Sequence, residues 1–418
     1  MTDHADLLRR FQPQLKYDSN EAFFADSAAE WTDNPGNVLR RRTQQGRPGK
    51  VVAAAAPQTG QPQLSLDFLS DTAYADGQPV EDEDVISSPS ARYREMYAAL
   101  REREGYKNRM YGHAKEDSGG RLWLQYWFYY FYNDYNLAGG VGLHEGDWEM
   151  VQLRIAPDGA RPDLAVYAQH IHAEQAPWEH VEKLTDSPDT AVVYVARGSH
   201  ASYFDAGYHE TEAWYDIADG KRATPKLALE ILDDDDLPGW VRWRGRWGDT
   251  RPRIPGIDQP SPHGPIVHNQ WDDPGLLCDR AKTHARPAAL PAPDVDVRRR
   301  SSRLVVTFDF SKRAGSPLQT LVITVNSRDD KLPPRTFTFA IGPALRGTIE
   351  TTIDLFDRQR YDIYVSTTDK DGRPSESQLV LIPALGDKPS PLEQVGAHVG
   401  RVAGEVAKTL DGFRRRRK

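Results

Sequence analysis

The chain reads as a mainly β protein: a large β-sandwich with helical decorations, then a small second β-sandwich, then an amphipathic C-terminal helix. Three observations carry this. The block LWLQYWFYYFY at residues 122–132 is aromatic or aliphatic on both alternating faces, as suits a strand covered on each side by protein. Three further strand-like runs follow at residues 148–155, 164–171 and 191–196, separated by Pro-Asp-Gly and Ser-Pro-Asp turn signals. Between residues 304 and 382 a second series of short period-two runs appears: LVVTFDF, TLVITVN, RTFTFAI, TIETTIDL, YDIYVSTT and QLVLI.

Composition is compatible with this. The 418 residues leave room for two or three domains, and 39% hydrophobic with 27% charged residues is ordinary for a folded soluble protein. A formal net charge of -8 argues against a dedicated nucleic-acid binder, whose surface must neutralise phosphates. The single cysteine, Cys278, excludes an intramolecular disulfide and permits a reducing compartment. The start MTDHADLLRRFQPQ has no apolar h-region and no small-residue cleavage site, and no window approaches the roughly 18 apolar residues of a spanning helix. The expectation is a soluble, cytoplasmic protein without a secretory signal peptide.

In chain order, residues 40–62 are rich in polar residues, Gly and Pro and read as a long loop or strand connection. Residues 92–104 place Tyr93, Met96, Tyr97 and Leu100 at three- and four-residue spacing, which predicts an amphipathic helix. The aromatic block and three strands follow, as an antiparallel sandwich. After Gly248 the prolines of RPRIPGIDQPSPHGP forbid central strands and helices and predict a surface wrap. The acidic run Asp233 to Asp236 lacks the glycine and terminal glutamate of a calcium-binding EF-hand and reads as a solvated turn. The boundaries are therefore residues 1–292, 293–386 and 387–418. In the last segment Leu392, Val395, Val399, Val402, Val406, Leu410 and Phe413 line one helix face and Gly396, Gly400 and Gly404 another. Small-residue spacing suits a partner helix and the terminal RRRRK suits an anionic membrane surface, so residues 391–418 are the candidate membrane or partner contact. A frayed, solubilising tail is the plainer reading of the same residues.

The chemistry concentrates in GLHEGDWEMVQL, residues 142–153. A strand starting near Asp147 puts Asp147, Glu149, Val151 and Leu153 on one face and Trp148, Met150 and Gln152 on the other, with His144 in the Gly-flanked turn before it. Two adjacent carboxylates repel unless a cation, a proton or a base offsets them, and a divalent metal does this most directly. The plainer alternative is a surface strand end with salt-bridged acids. His170 and His172 in LAVYAQHIH and His200 in AVVYVARGSH close two strand-like runs and could converge on the acids, with His170 and His200 weighted above His172. His144-Glu145 is not a zinc-protease H-E-x-x-H, since Trp148 occupies the second histidine position, and Ser199-His200 lacks the G-x-S-x-G elbow.

Residues 11–247 resemble the vacuolar protein sorting protein 62 family and, more distantly, the Nep-like necrosis-inducing proteins. The resemblance is carried by LQYWFYYFYND (124–134), HEGDWEMVQL (144–153) and VVYVARGSHASYF (192–204), in that order. The second is similar to the GHRHDWE heptapeptide of the Nep-like proteins, with Glu145 and Gly146 in place of its central Arg-His. Separately, YDIYVSTTDKDGRPS (361–375) resembles the penultimate strand and turn of a fibronectin type III domain, which implies a spacer or interaction module. The Nep-like resemblance implies a β-sandwich holding magnesium or calcium at one end. Carried over by position, Asp147 would be a direct ligand, His144 and Glu149 ligands or close neighbours of ligands, His200 the completing residue and Asp134 the upstream aspartate. His170 joins this metal set from the strand-end reading, and manganese and zinc stay as alternatives. The Nep-like proteins are secreted and disulfide-bonded and grip a sphingolipid sugar before damaging the membrane; on the reading above this chain has no signal peptide and, with one cysteine, none of their disulfides, so the cytolytic role is not carried over.

The sequence therefore favours a metal-dependent binding module for a polar lipid head group or glycan, with Tyr135, Trp178 and Tyr203 as candidate stacking faces. Two alternatives remain open. One is a metal-dependent hydrolase of phosphodiester or glycosidic bonds in which Glu149 or His200 moves the proton. The other is a docking adaptor with a structural metal, acting through its C-terminal parts. A binding protein is favoured over an enzyme.

Overall fold

A computed structural model describes residues 3–34, 36–42, 48–54, 81–88, 90, 92–135, 142–170, 172–210, 215–249, 261–284, 294–300, 303–309, 318–327, 335–353, 355, 359–370, 375 and 378–382. The chain is mainly β and divides into two compact units. Residues 1–173, 177–208 and 216–278 form one, and residues 174–176, 209–215 and 279–418 the other.

The first unit begins with helix α1 (His4–Arg10), capped by the Asp3 carboxylate, and strand β1 (Gln14–Tyr17). Helix α2 (Ala28–Thr32) is capped by Ser27. Strands β2 (Val38–Arg42) and β3 (Pro48–Ala54) pair antiparallel, so the stretch expected to be a loop holds a hairpin; its Gly, Pro and Arg residues mask the alternation of Leu39, Val51 and Ala53. Strand β4 (Val85–Ser87) joins the same sheet, and helix α3 (Tyr93–Leu100) falls inside the expected helix.

Strands β5 (Arg109–Glu116), β6 (Leu122–Asn133), β7 (His144–Ile155) and β8 (Pro162–Gln169) run antiparallel in sequence order, and Ala228–Leu232 lies parallel to β5. The aromatic block is buried along nearly its whole length because both faces are covered. On one face Trp127, Tyr129, Phe131, Trp148 and Met150 pack with Trp31, Trp240, Trp243, Trp247 and Trp271. Trp148 is thus a core anchor, as its parity requires. The opposite face looks toward a second sheet in which β1 lies parallel to Ser187–Val195, with Tyr17 opposite Val195. Tyr167 of β8 stacks on Phe204 at 3.9 Å and donates its O–H to the Val192 carbonyl, tying the two sheets.

Strand β7 starts at His144, three residues before the expected start. Gly146 makes this possible: its φ is +67°, and a Cβ there would stand 1.9 Å from the Trp247 carbonyl oxygen. Residues 250–260, most of the stretch expected to wrap the surface, lie outside the described residues, and the short helices Asn269–Asp272 and Gly275–Cys278 come after it. Asp234 in the acidic run is more than a solvated turn, since it pairs with buried His113 and with Lys115.

In the second unit, Asp294–Arg300, Arg303–Asp309 and Arg346–Thr352 form one antiparallel sheet. Arg335–Ala344, Leu318–Ser327, Tyr361–Asp369 and Gln378–Ile382 form another. Their inward residues, including Leu304, Val306, Phe308, Leu321, Ile323 and Ile363, share one aliphatic core. The C-terminal helix and the contact segment 391–418 lie outside the described residues. Among the described residues no helix is long and apolar enough to cross a membrane.

Candidate functional site

The inward face of β6 and β7 carries the chemistry. Cross-strand register sets Tyr130 opposite Asp147 and Phe128 opposite Glu149, so both carboxylates point between the two sheets of the first unit. Asp147 Oδ2 accepts hydrogen bonds from Asn133 Nδ2 at 3.2 Å and His200 Nδ1 at 2.9 Å. His200, fully buried, sits at φ +56° and stacks on Tyr130 with ring centroids 3.9 Å apart. Among the described residues its Nε2 has no hydrogen-bond partner, and it lies 3.7 Å from Glu21 Oε1. Burial works against a charge on this imidazole, but Glu21 and Asp147 outweigh it and push His200 up to about 9.

His144 lies close enough to feel both Asp147 and His200. Its Nδ1 is 2.7 Å from the Gly146 carbonyl, and burial holds it below the ordinary histidine range. Glu149 is 8% exposed and accepts no hydrogen bond among the described residues. Burial, then Asp147 and Asp216, push it well above the usual carboxylate range.

Asp216, close enough for Glu149 to feel its charge, is the hub of a second cluster. Its Oδ1 accepts from Ser199 Oγ at 2.7 Å, and its Oδ2 accepts from Tyr203 O–H at 2.6 Å and His170 Nε2 at 2.9 Å. Burial raises Asp216, yet His170 and these donors leave it below its ordinary value.

Of the expected site residues, the fold brings Asp147, Glu149, His144 and His200 into one neighbourhood and His170 and Tyr203 into the adjoining one. Asp134 is turned to Arg94 in an ion pair. Tyr135 lies 6.0 Å ring to ring from His170, and Trp178 packs edge-on against Phe11 with Lys183 over its ring. Sequence reasoning missed Glu21, Asn133 and Asp216 and gave Ser199 no role. Asn133 directly precedes the weighed Asp134 and alternates with Phe131, which was a usable signal; Glu21 and Asp216 sit in stretches with no local pattern.

Among the described residues no three His, Cys, Asp or Glu side chains are grouped so as to hold a metal ion. What remains available is oxygen: Asp147 Oδ1 and both Glu149 oxygens carry no hydrogen bond from the described residues, whereas Nδ1 of His200 is engaged. Two carboxylates with hard oxygen donors suit magnesium or calcium better than zinc, provided water or ligand oxygens complete the shell.

No family model and no curated protein matches the chain. Among solved structures, Necrosis and Ethylene inducing Protein 2 from the causal agent of cocoa's witches' broom disease is similar at 14% identity. It matches over 55% of this chain and 74% of that one with a TM-score of 0.25. The FN5 domain of Drosophila Lar matches at 16% identity over 24% of this chain and 100% of that domain, TM-score 0.18. A human FNIII domain matches at 18% identity over 25% and 86%, TM-score 0.17. These are distant likenesses to a Nep-like protein and to fibronectin type III domains, too slight to carry an argument about function. The site's own geometry has to do so.

Proposed function

We propose that the first unit is a divalent-cation-dependent binding module whose Asp147 and Glu149 hold magnesium or calcium for a polar lipid head group or a glycan. The observation behind this is Glu149. An inward carboxylate, buried and with no hydrogen bond from the described residues, feels two other carboxylates, an arrangement that is costly unless positive charge enters it. A bound hard cation would supply that charge and a Lewis-acidic point for hydroxyl or phosphate oxygens. His200 and Asn133 fix one oxygen of Asp147 and leave the other available. Ser199, Tyr203 and His170 hold Asp216 from the other side. The sorting-family resemblance rests on the three motifs quoted above and adds a link to membranes as part of the same proposal.

Elemental analysis of freshly purified protein tests the reading. Near-stoichiometric magnesium, calcium or manganese is expected in the wild type and is lost in both Asp147→Asn and Glu149→Gln. Binding of metal-loaded protein to head-group vesicles and glycan arrays then identifies the ligand. Protein that is metal-free, and whose melting temperature does not respond to these cations, would overturn the proposal. Turnover of phosphodiester or glycoside substrates by the loaded protein would move it from binding to hydrolysis.

A further inference from the structure

One buried carboxylate of the first unit has no part in that reading. Glu21 lies between β1 and α2 and is 3% exposed. Its Oε1 accepts the backbone N–H groups of Ala22 at 2.7 Å and Phe23 at 2.9 Å, and its Oε2 accepts the N–H of Gly198 at 2.7 Å. The same side chain faces His200 Nε2 at 3.7 Å. Gly198 itself, at φ +76°, is wedged on its other side: a Cβ would stand 2.9 Å from the backbone carbon and oxygen of Asp134. The next two residues each reach one of the acids whose charge Glu149 feels. Ser199 donates to Asp216 at 2.7 Å and His200 holds Asp147 at 2.9 Å.

We infer that Glu21 is a positioning residue of this site: by anchoring Gly198 it fixes the turn at 198–200, and through Ser199 and His200 it holds Asp216 and Asp147, the two acids whose charge reaches Glu149. For its ligand this inference rests on the cation reading above; its geometry stands apart from it. Both carboxylate oxygens are required. A glutamine at position 21 carries one carbonyl oxygen, so its amide group must face a backbone N–H on one side, donor against donor. Either the 22–23 backbone or the Gly198 turn is then released.

The test uses the full chain and two readouts. The proton that His200 Nδ1 shares with Asp147 gives a downfield imidazole resonance in nitrogen-15 histidine NMR, identified by its loss in Asp147→Asn. Titration with manganous ion alone reads the cation site. In Glu21→Gln the amide spectrum stays that of a folded protein, the downfield resonance is lost, and manganese binds roughly 10- to 100-fold more weakly, as expected when a supporting partner of a ligand is removed. Retention of both the resonance and the affinity would overturn the inference, as would a wild type without the resonance. Should Glu21→Gln fail to fold, Gly198→Ala disturbs the same turn from the Asp134 side, and a retained resonance there is equally fatal. If wild-type protein binds no manganese, the cation reading fails while the resonance alone decides the role of Glu21.

Discussion

The sandwich of residues 294–382 and the first unit solve the same problem with different materials. The sandwich buries Leu304, Val306, Ile323, Ile363 and their neighbours, and among its described residues the only buried carboxylate is Asp369. The first unit buries Glu21, Asp26, Glu145, Asp147, Glu149, His200 and Asp216 beside a tryptophan-rich core. A β-sandwich closes with few buried ionisable groups. Each such group costs free energy unless it is paired and hydrogen-bonded, so their concentration in the first unit is what the proposed cation site sets out to explain.

The comparison breaks or sharpens at four points. The largest effect is expected from His200→Ala, which leaves Glu21 and Asp147 buried without a positive neighbour and should cost about 3–5 kcal/mol. Ile363→Val in the sandwich should cost about 0.5–1.5 kcal/mol. Urea denaturation of both variants measures this, and equal costs would erase the distinction.

The second concerns Asp26, which accepts from Tyr97 O–H and the Asn108 N–H. Burial raises it to about 6 despite Arg101 and these donors. The folded state therefore holds the proton where the unfolded chain has released it, so this group's contribution to stability falls as pH rises from about 4 to about 6. Asp26→Asn forfeits an acceptor at every pH, yet its deficit relative to wild type should shrink by about 3 kcal/mol across that window. A deficit that is constant with pH would show that Asp26 does not titrate there.

Third, Glu149→Gln removes a carboxylate that has no hydrogen-bond partner among the described residues. Without divalent cations its melting temperature should equal or exceed that of wild type by up to about 1 kcal/mol equivalent, the opposite of an ordinary buried substitution. The stabilisation on adding calcium or magnesium should vanish. The smallest effect belongs to Asp189→Asn, which breaks the exposed pair with Arg10 at 2.8 Å and should change stability by no more than about 0.5 kcal/mol.

Local pattern made much of this legible. Strands β6, β7 and β8 follow from aromatic blocks and alternation, and the parity of β7 separates the Asp147–Glu149 face from the Trp148 face. The six alternating runs of the sandwich are strands. The hairpin of β2 and β3 was hidden because glycine, proline and arginine dominate its composition, and the early start of β7 because Gly146 looks like a turn residue. Glu21 and Asp216 were illegible for another reason. Long-range contacts bring them to the site: Glu21 follows β1, which is laid parallel to Ser187–Val195, and Asp216 is met by Ser199, Tyr203 and His170, neither of which a local periodicity encodes.

That pairing also sets an order of events during synthesis. Glu21 Oε1 is satisfied at once by its neighbours Ala22 and Phe23, but Oε2 must wait for Gly198, 177 residues later. At ordinary rates of translation roughly 10–35 s separate the two, and β1 stays without its Ser187–Val195 neighbour for that time. The contact that ties Glu21 to the 198–200 turn therefore forms late. A nascent chain arrested before that turn would offer a bare strand to chaperones, and the protein's yield in a cell would depend on how long that strand is shielded.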